Sequence, residues 1–375
     1  MPLTSSSIND AGAPPMPWRD ALPIWTLALP PLGVVAVAIG LAKLGTAGIV
    51  TATLILIGCV LAAVHHAEVV AHRVGEPFGT LVLAVAVTVI EVSLIVSLML
   101  AESGDASALA RDTVFAAIMI ILNGIVGLCL LAGAVRHGEQ RFTQRGVSAA
   151  LCVLAAMAFL SLVLPNYTSS TPGPTYAPSQ LLFTAVVSLI LYGTFVLIQT
   201  MRHRDYFLAS GDDIAPDARA ALPANRTAWA AFGVLSLALI VVVLLAKDLS
   251  ATVERAVLDA GLPLAIVGVV IAGLVFAPES LAAYRAARRN RLQTSLNLAL
   301  GSALATIGLT IPTVAVVSLV LDLPLTLGID AKGLVLLGLS LFVATLSLGT
   351  GRTTILQGAV HLVIFAAYLF TTIVP

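Results

Sequence analysis

Apolar runs of about 20 residues recur along the whole chain and constrain its fold more than any other feature. An α-helix needs a run of that length to cross about 30 Å of hydrocarbon. Of the 375 residues, 59% are hydrophobic and 10% are charged, which excludes an ordinary soluble domain. Long runs, rather than alternating segments of about ten residues, favour a helical bundle over a barrel. We therefore predict an all-α integral membrane protein.

The apolar runs define eleven candidate membrane segments. They span residues 21–41, 48–64, 79–101, 113–135, 147–164, 181–201, 227–246, 262–284, 294–320, 333–349 and 354–373. We interpret the first as an extra helix and the other ten as two halves of five helices each. The resulting divisions are a tail (1–20), the extra helix (21–45), the first half (46–201), an acidic linker (202–226) and the second half (227–375).

The distribution of lysine and arginine predicts the orientation of these segments. Loops on the cytoplasmic side of membrane proteins carry an excess of these residues. Fourteen of the 19 basic residues lie on the side of the N-terminus, and the five on the opposite side are Lys43, Arg111, Lys247, Arg255 and Lys332. We therefore expect the N-terminus and the linker in the cytoplasm and the C-terminus outside.

Two glutamates stand alone among apolar residues, Glu91 in the third segment and Glu279 in the eighth. A charge near the bilayer centre costs about 2.5–3.5 kcal/mol, and ionisable residues there commonly mark an ion or proton path. Because the two segments are five apart, they cross the membrane in opposite directions, as in the inverted repeats of secondary transporters. We predict that Glu91 and Glu279 form one ion-binding and proton-binding site near the midplane.

Several polar residues near the two glutamates are candidates for auxiliary ligands. Thr88 lies three residues before Glu91 and shares its helix face. Pro278 precedes Glu279 and is expected to kink or break that helix, which would free carbonyl groups for a cation. The segments after each glutamate add further candidates, for which helix packing is the alternative interpretation: Asn123, Ser302, Thr306 and Thr310.

The oxygen-rich pattern suits a hard cation, since Ca²⁺ takes six to eight oxygen ligands. Two carboxylates neutralise one Ca²⁺. Once the metal leaves, two neighbouring carboxylates in a low dielectric cannot both stay ionised, and protons bind instead. Competition between a metal ion and protons for one site is the basis of antiport. We predict exchange of cytoplasmic Ca²⁺ for external H⁺, with Na⁺ or K⁺ for H⁺ at the same glutamates as the alternative.

A second set of polar residues lies where the second segment ends and the third begins. Glu68, His72 and Glu76 follow the pair His65 and His66 there. Because histidine titrates near neutral pH, these three residues could form a proton path to the site. An ordinary hydrated interface is the plainer interpretation, and the pattern slightly favours it.

Other classes of function fit the sequence less well. The chain has no HExxH motif and no pair of mid-membrane aspartates, so we predict that it is not an enzyme and needs no cofactor. A passive channel is a further alternative, which downhill flux without proton coupling would reveal. The expected partners are inorganic cations and membrane lipid, without nucleic acid, and the sequence does not indicate an oligomeric state.

Three stretches of the second half carry a family resemblance: Ala277-Pro278-Glu279, the basic connection 289–292, and Gly301-Ser302-Ala303 with the following Ile311-Pro312. They resemble the calcium/cation antiporter superfamily, specifically its cation/proton exchanger branch and the bacterial ChaA-type members. The first half matches through Gly79-Thr80-Leu81 and Glu91, while Val87-Thr88 and Val275-Phe276 replace a Gly-Asn pair. The resemblance implies eleven helices, a midplane two-glutamate site, cation/proton exchange led by calcium, and a place in the bacterial inner membrane.

Overall fold

The computed structural model describes residues 22–75, 78–100, 106–207 and 223–374, most of which are helical. The first six helices are α1 (Ile24–Ala38), α2 (Gly45–Val74), α3 (Phe78–Met99), α4 (Leu109–His137), α5 (Gln144–Tyr167) and α6 (Pro178–Arg202). The remaining five are α7 (Asn225–Asp259), α8 (Ala265–Arg288), α9 (Leu292–Leu321), α10 (Ala331–Leu348) and α11 (Ile355–Ile373). Two short strands are β1 (Gln140–Arg141) and β2 (Arg352–Thr353).

The helices confirm the predicted all-α membrane fold. Among the described residues, nine helices are long and apolar enough to cross a membrane, and α1 and the Ala84–Ser97 part of α3 are shorter apolar helices. Each of the eleven predicted segments coincides with one of the helices α1–α11. How many of them cross the bilayer, and whether the two halves are inverted repeats, remain predictions.

Two helices extend well beyond their predicted ends. The second segment was expected to end at residue 64 and the seventh at 246, but α2 continues to Val74 and α7 to Asp259. Charged residues end an apolar run without ending a helix, because lysine, arginine and glutamate are good helix formers. The predicted linker 202–226 is described only at its two ends, and its residues Asp212, Asp213 and Asp217 lie outside the described residues.

Contacts between connecting segments agree with the predicted alternation of helices. Strand β1, between α4 and α5, pairs antiparallel with β2, between α10 and α11. At the other end of the bundle, the Ser107 and Thr326 hydroxyls lie 3.1 Å apart, and the Asn166 side chain donates to the Ile329 carbonyl across 2.7 Å. In each case, the two contacting segments lie on the same side of the membrane if successive helices cross it in opposite directions.

Close helix packing relies on small residues. Helices α2 and α7 pack along each other, and α4 packs against both α8 and α11. At the α4–α11 crossing, a Cβ atom on Gly358 would lie 2.5 Å from the Leu131 amide nitrogen. Glycine is required there because the two backbones touch, as at many contacts between membrane helices.

The helices are irregular at other places than the predicted break at Pro278. Helix α8 runs without interruption through Pro278, so the predicted break beside Glu279 is wrong. Membrane helices tolerate an internal proline when their surroundings compensate for its missing N–H group. Wide π turns occur in the two helices that follow the glutamates, at Ile120–Ile125 in α4 and Thr306–Thr310 in α9. Two more lie at Phe159–Val163 in α5 and Ile198–Arg202 in α6.

Candidate functional site

Glu91 is fully buried in α3 and is held by hydroxyl groups of α9. The Thr310 hydroxyl donates a hydrogen bond to Glu91 Oε2 across 2.9 Å. Thr306, at the start of the same π turn of α9, lies close enough for its hydroxyl to interact with this carboxyl group. Glu91 Oε1 is buried and has no partner among the described residues. One oxygen of this carboxyl group is therefore left for a proton or a cation.

Glu279 lies in α8, close enough to Glu91 for the two carboxyl groups to interact electrostatically. Its Oε2 atom is also buried, with no hydrogen-bond partner in the described part of the chain. An unpaired buried oxygen is costly, and the cost is larger for a charged group. The two glutamates thus bring two unsatisfied carboxyl oxygens into the same region.

A cavity of about 280 Å³ leads to Glu279 between α3, α6, α8 and α9. Its polar lining consists of Thr88, Tyr192, Gln199, Glu279, Thr294, Asn297, Ser302 and Thr306. On α9 the lining runs from Thr294 to Thr306, which is about 18 Å along a helix axis. Glu91 is not part of the lining, although Thr306, which interacts with it, is. The cavity therefore gives direct access to Glu279 and not to Glu91.

The structure brings most of the predicted ligands together. Thr88, Ser302 and Thr306 line the cavity with Glu279, and Thr306 also reaches Glu91. Pro278 adjoins Glu279 in α8 but is not among the lining residues. Asn123 is buried at a separate place, where its amide bonds to Ser340 and His361 instead of facing the cavity.

The three residues of the predicted proton path are placed differently. Glu68, on α2, interacts electrostatically with both Glu279 and His65. His72 lies one turn further along α2 with an exposed side chain. Glu76 lies outside the described residues. Of the three, Glu68 is the one that the structure connects to the site.

Sequence reasoning missed four residues that line the cavity: Tyr192, Gln199, Thr294 and Asn297. Tyr192 and Gln199 are seven residues apart in an apolar segment, a spacing that places both on one helix face. That spacing is the sequence signal that could have identified the two cavity-lining residues of α6. Within the described residues, no three His, Cys, Asp or Glu side chains form a metal cluster. The further oxygen ligands that the described side chains offer a cation beside the two carboxylates are therefore hydroxyl and amide oxygens.

The fold and the site define a class of protein: a helical membrane transporter with two buried carboxyl groups at the end of a polar cavity. The family described as sodium/calcium exchanger protein matches residues 44–201 and 230–374. The chain belongs to this family.

Curated relatives and a solved structure agree with the family assignment. The protein y4hA of Sinorhizobium fredii, provisionally named an ionic transporter, is 49% identical over 94% of this chain and 97% of its own length. The sodium-potassium/proton antiporter ChaA of Escherichia coli is 37% identical over 85% of this chain and 87% of its own length. The H⁺/Ca²⁺ exchanger CAX shares the fold, with a TM-score of 0.71 and 15% identity over 94% of this chain and 89% of that chain.

These comparisons confirm three predictions made from the sequence. The chain belongs to the calcium/cation antiporter superfamily, within its cation/proton exchanger branch. It is a cation exchanger rather than an enzyme. It is also a multi-pass membrane protein of a bacterial transporter family.

Proposed function

We propose that this chain is a cation/proton antiporter in which Glu91 and Glu279 bind a cation and protons in turn. The observation that carries this proposal is the pair of buried carboxyl oxygens without partners, Glu91 Oε1 and Glu279 Oε2. A cation satisfies both oxygens at once. When it leaves, protons satisfy them instead, because two neighbouring carboxylates in a low dielectric cannot both stay charged. The same atoms serve both ions, which couples the two fluxes.

Calcium is the cation that the charge of the site favours. Two carboxylates balance one Ca²⁺, and two protons replace it without changing the net charge of the site. Hydroxyl oxygens of Thr88, Ser302 and Thr306 would add to the six to eight oxygen ligands that calcium takes. Water in the cavity would complete the shell. Magnesium fits less well, because it gives up its waters reluctantly.

Monovalent exchange is the second candidate, and one observation favours it. ChaA, which is 37% identical over most of both chains, is named a sodium-potassium/proton antiporter. In that case one carboxylate would bind Na⁺ or K⁺ while the other kept its proton. The two candidates use the same residues and differ in the number of protons exchanged for each cation.

The position of the cavity indicates from which side of the membrane a cation reaches the site. The cavity extends along α9 to Thr294, close to the connection that carries Arg289 and Arg291. The positive-inside rule assigns this arginine-rich face to the cytoplasm. We therefore infer that a cytoplasmic cation enters through the cavity. An inward proton gradient would then drive its exit in exchange for external H⁺. Glu68, which interacts with Glu279, would pass protons between the site and the cytoplasm, with His72 and Glu76 further out.

The test uses purified protein in liposomes with an imposed pH gradient. Cation flux and proton movement are recorded separately for Ca²⁺, Na⁺ and K⁺. Glu91→Gln and Glu279→Gln keep the side-chain shape but remove the charge and the titration. With one carboxylate left, the site can neither balance the charge of Ca²⁺ nor exchange two protons for it, so each variant should lose exchange. Glu139→Gln, at an exposed ion pair beside β1, is the matched control and should exchange normally.

The three possible results separate the hypotheses. Ca²⁺ flux with opposite proton movement, unaffected by Na⁺ and K⁺, would establish calcium/proton exchange. Proton movement driven by Na⁺ or K⁺ but not by Ca²⁺ would establish the monovalent alternative. Wild-type exchange by either glutamine variant would refute the shared site.

A further inference from the structure

A second buried polar cluster, distinct from the cavity, joins α4, α10 and α11. We call it the His361 cluster, and its members are His361, Asn123, Ser340 and Ser347. His361 is 0% exposed in α11, and so is Asn123 in the π turn of α4. His361 Nδ1 lies 3.1 Å from Asn123 Oδ1, and His361 Nε2 lies 2.8 Å from Ser347 Oγ. Both ring nitrogens of this buried histidine are therefore hydrogen-bonded.

The hydrogen-bond directions around Asn123 follow from its neighbours. The Ser340 hydroxyl donates to the Leu336 carbonyl across 2.6 Å, so Ser340 Oγ can only accept from Asn123. The Asn123 Nδ2 group makes that donation across 2.8 Å, which turns Asn123 Oδ1 toward His361. An oxygen can only accept, so the proton of the ring lies on Nδ1. In the neutral ring, Nε2 then accepts from the Ser347 hydroxyl across 2.8 Å, in preference to the Ala344 carbonyl, which lies farther from that hydroxyl at 3.3 Å.

Asn123 connects this cluster to the helices of the functional site. Its π turn, Ile120–Ile125, contacts α10 and α11 on one side. The same turn contacts α8 and α9, the helices that carry Glu279 and Thr310, whose hydroxyl bonds Glu91. A π turn inserts a residue into a helix and often marks a functional position. The amide of Asn123 therefore secures the irregular turn that packs against the site.

The helices are in direct contact around the His361 cluster. A Cβ atom on Gly127 would lie 2.9 Å from His361 Cβ and 3.1 Å from the Leu362 amide nitrogen. A Cβ atom on Gly124 would lie 3.3 Å from the ring of Phe365. With so little free space, a shift of the His361 ring must move the backbone of α4, because protein interiors are close-packed.

We propose that His361 is a positioning residue for cation exchange, acting through its Nδ1–H group on Asn123. This role rests on the proposed function. The hydrogen bond holds the π turn of α4, which in turn sets the position of α8 and α9 and of the oxygens they offer to the cation. His361 itself does not line the cavity and does not touch the cation. Asn123 likewise contributes through the placement of α4.

Two substitutions of His361 test which ring nitrogen matters. In His361→Asn the side-chain amide takes the place of ring Nδ1 and can still donate to Asn123. In His361→Gln the amide takes the place of Nε2, which keeps the Ser347 contact but loses the donor to Asn123. We expect His361→Gln to raise the half-saturating cation concentration about tenfold or more, as loss of an outer partner does at metal sites. His361→Asn should stay within about twofold of the wild-type value.

Ser347→Ala is the matched control, since it removes only the bond on the Nε2 side and should also leave cation affinity within about twofold. Transport in liposomes gives the half-saturating cation concentration and, separately, the maximal rate. Thermal unfolding in detergent gives the rise in the unfolding midpoint that Ca²⁺, Na⁺ or K⁺ causes. A purely structural role would lower the unfolding midpoint of every variant and leave the half-saturating concentration unchanged.

Equal affinities for His361→Asn and His361→Gln would overturn the proposal, as would a Ser347→Ala variant as impaired as His361→Gln. If His361→Gln does not fold, Asn123→Leu must show the same loss of affinity, and normal affinity in that variant overturns the proposal. A wild-type protein that moves no cation would refute the proposed function and this role together. A wild-type protein that exchanges while His361→Gln binds normally would refute the positioning role alone.

Discussion

The Thr310 hydroxyl donates to Glu91 Oε2 across 2.9 Å, and this hydrogen bond joins α9 to α3. Both residues are fully buried, and Thr310 is the last residue of the π turn in α9. Thr306, at the start of the same turn, lies close to the same carboxyl group and also lines the cavity. One irregular turn of α9 therefore binds the hidden glutamate and forms part of the cavity wall.

Thr310→Val should weaken cation binding without unfolding the protein. Valine keeps the shape of threonine but removes the O–H donor, and a hydrogen bond to a charged group contributes about 1.5–3 kcal/mol. We expect the half-saturating cation concentration in liposomes to rise about tenfold or more. Thr313→Val is the control, because the Thr313 hydroxyl donates to the Leu309 carbonyl on the exposed face of α9. Unchanged affinity in Thr310→Val would show that this bond does not contribute to the site.

The two glutamates and the positions of the helices could be predicted from the sequence because each follows from one large free-energy term. Burying apolar runs in lipid determines where helices lie, and the cost of a carboxylate in hydrocarbon singles out Glu91 and Glu279. The structure brings these two residues close together, with Thr88, Ser302 and Thr306 beside them. The spacing along a helix face was sufficient to find these three neighbours.

The role of Asn123 could not be predicted in the same way. An asparagine in an apolar helix needs partners, but the sequence does not tell which neighbouring helix supplies them. The π turn rotates this part of α4, and the amide bonds to Ser340 and His361 on α10 and α11. The continuity of α8 through Pro278 could not be predicted for a similar reason. It depends on which neighbouring groups pack around the place of the missing N–H group, and the sequence does not show them.

A cysteine at Ser302 should react with a membrane-impermeant thiol reagent added from the arginine-rich face. Ser302 lines the cavity, so a reagent that enters there reaches it. Cys152 is exposed and must first be replaced by serine, whereas Cys59 and Cys129 are buried. The measurement is the labelling rate in liposomes with and without Ca²⁺, Na⁺ or K⁺. The transported cation should slow the labelling, because it occupies the space next to Glu279.

Ser318→Cys provides the control for this labelling experiment. Ser318 lies on the same helix, is buried, and donates to the Leu323 carbonyl near the other end of α9. It should react more slowly than Ser302→Cys from the arginine-rich face, with no effect of the cation. Equal rates at the two positions, or labelling of Ser302→Cys that no cation slows, would contradict the assignment of this cavity to the cation path.

Gly358→Ala should destabilise the protein, although alanine is the better helix former. The added Cβ would lie 2.5 Å from the Leu131 amide nitrogen and 2.9 Å from the Gly127 carbonyl oxygen. Because both neighbours are backbone atoms, α4 and α11 must move apart, and overpacking of this kind costs about 1–3 kcal/mol. The measurement is the midpoint of thermal unfolding in detergent, which should fall.

Gly338→Ala in α10 is the matched control for this substitution. A Cβ atom at Gly338 meets nothing within 4 Å, so only the helix propensity changes. Alanine is favoured over glycine by about 1 kcal/mol inside a helix, so this variant should be as stable as the wild type or slightly more stable. The same chemical change is thus expected to have opposite effects at two helix positions. A stable Gly358→Ala variant would show that α4 and α11 can separate, and that the contact between them does not restrain the π turn of α4.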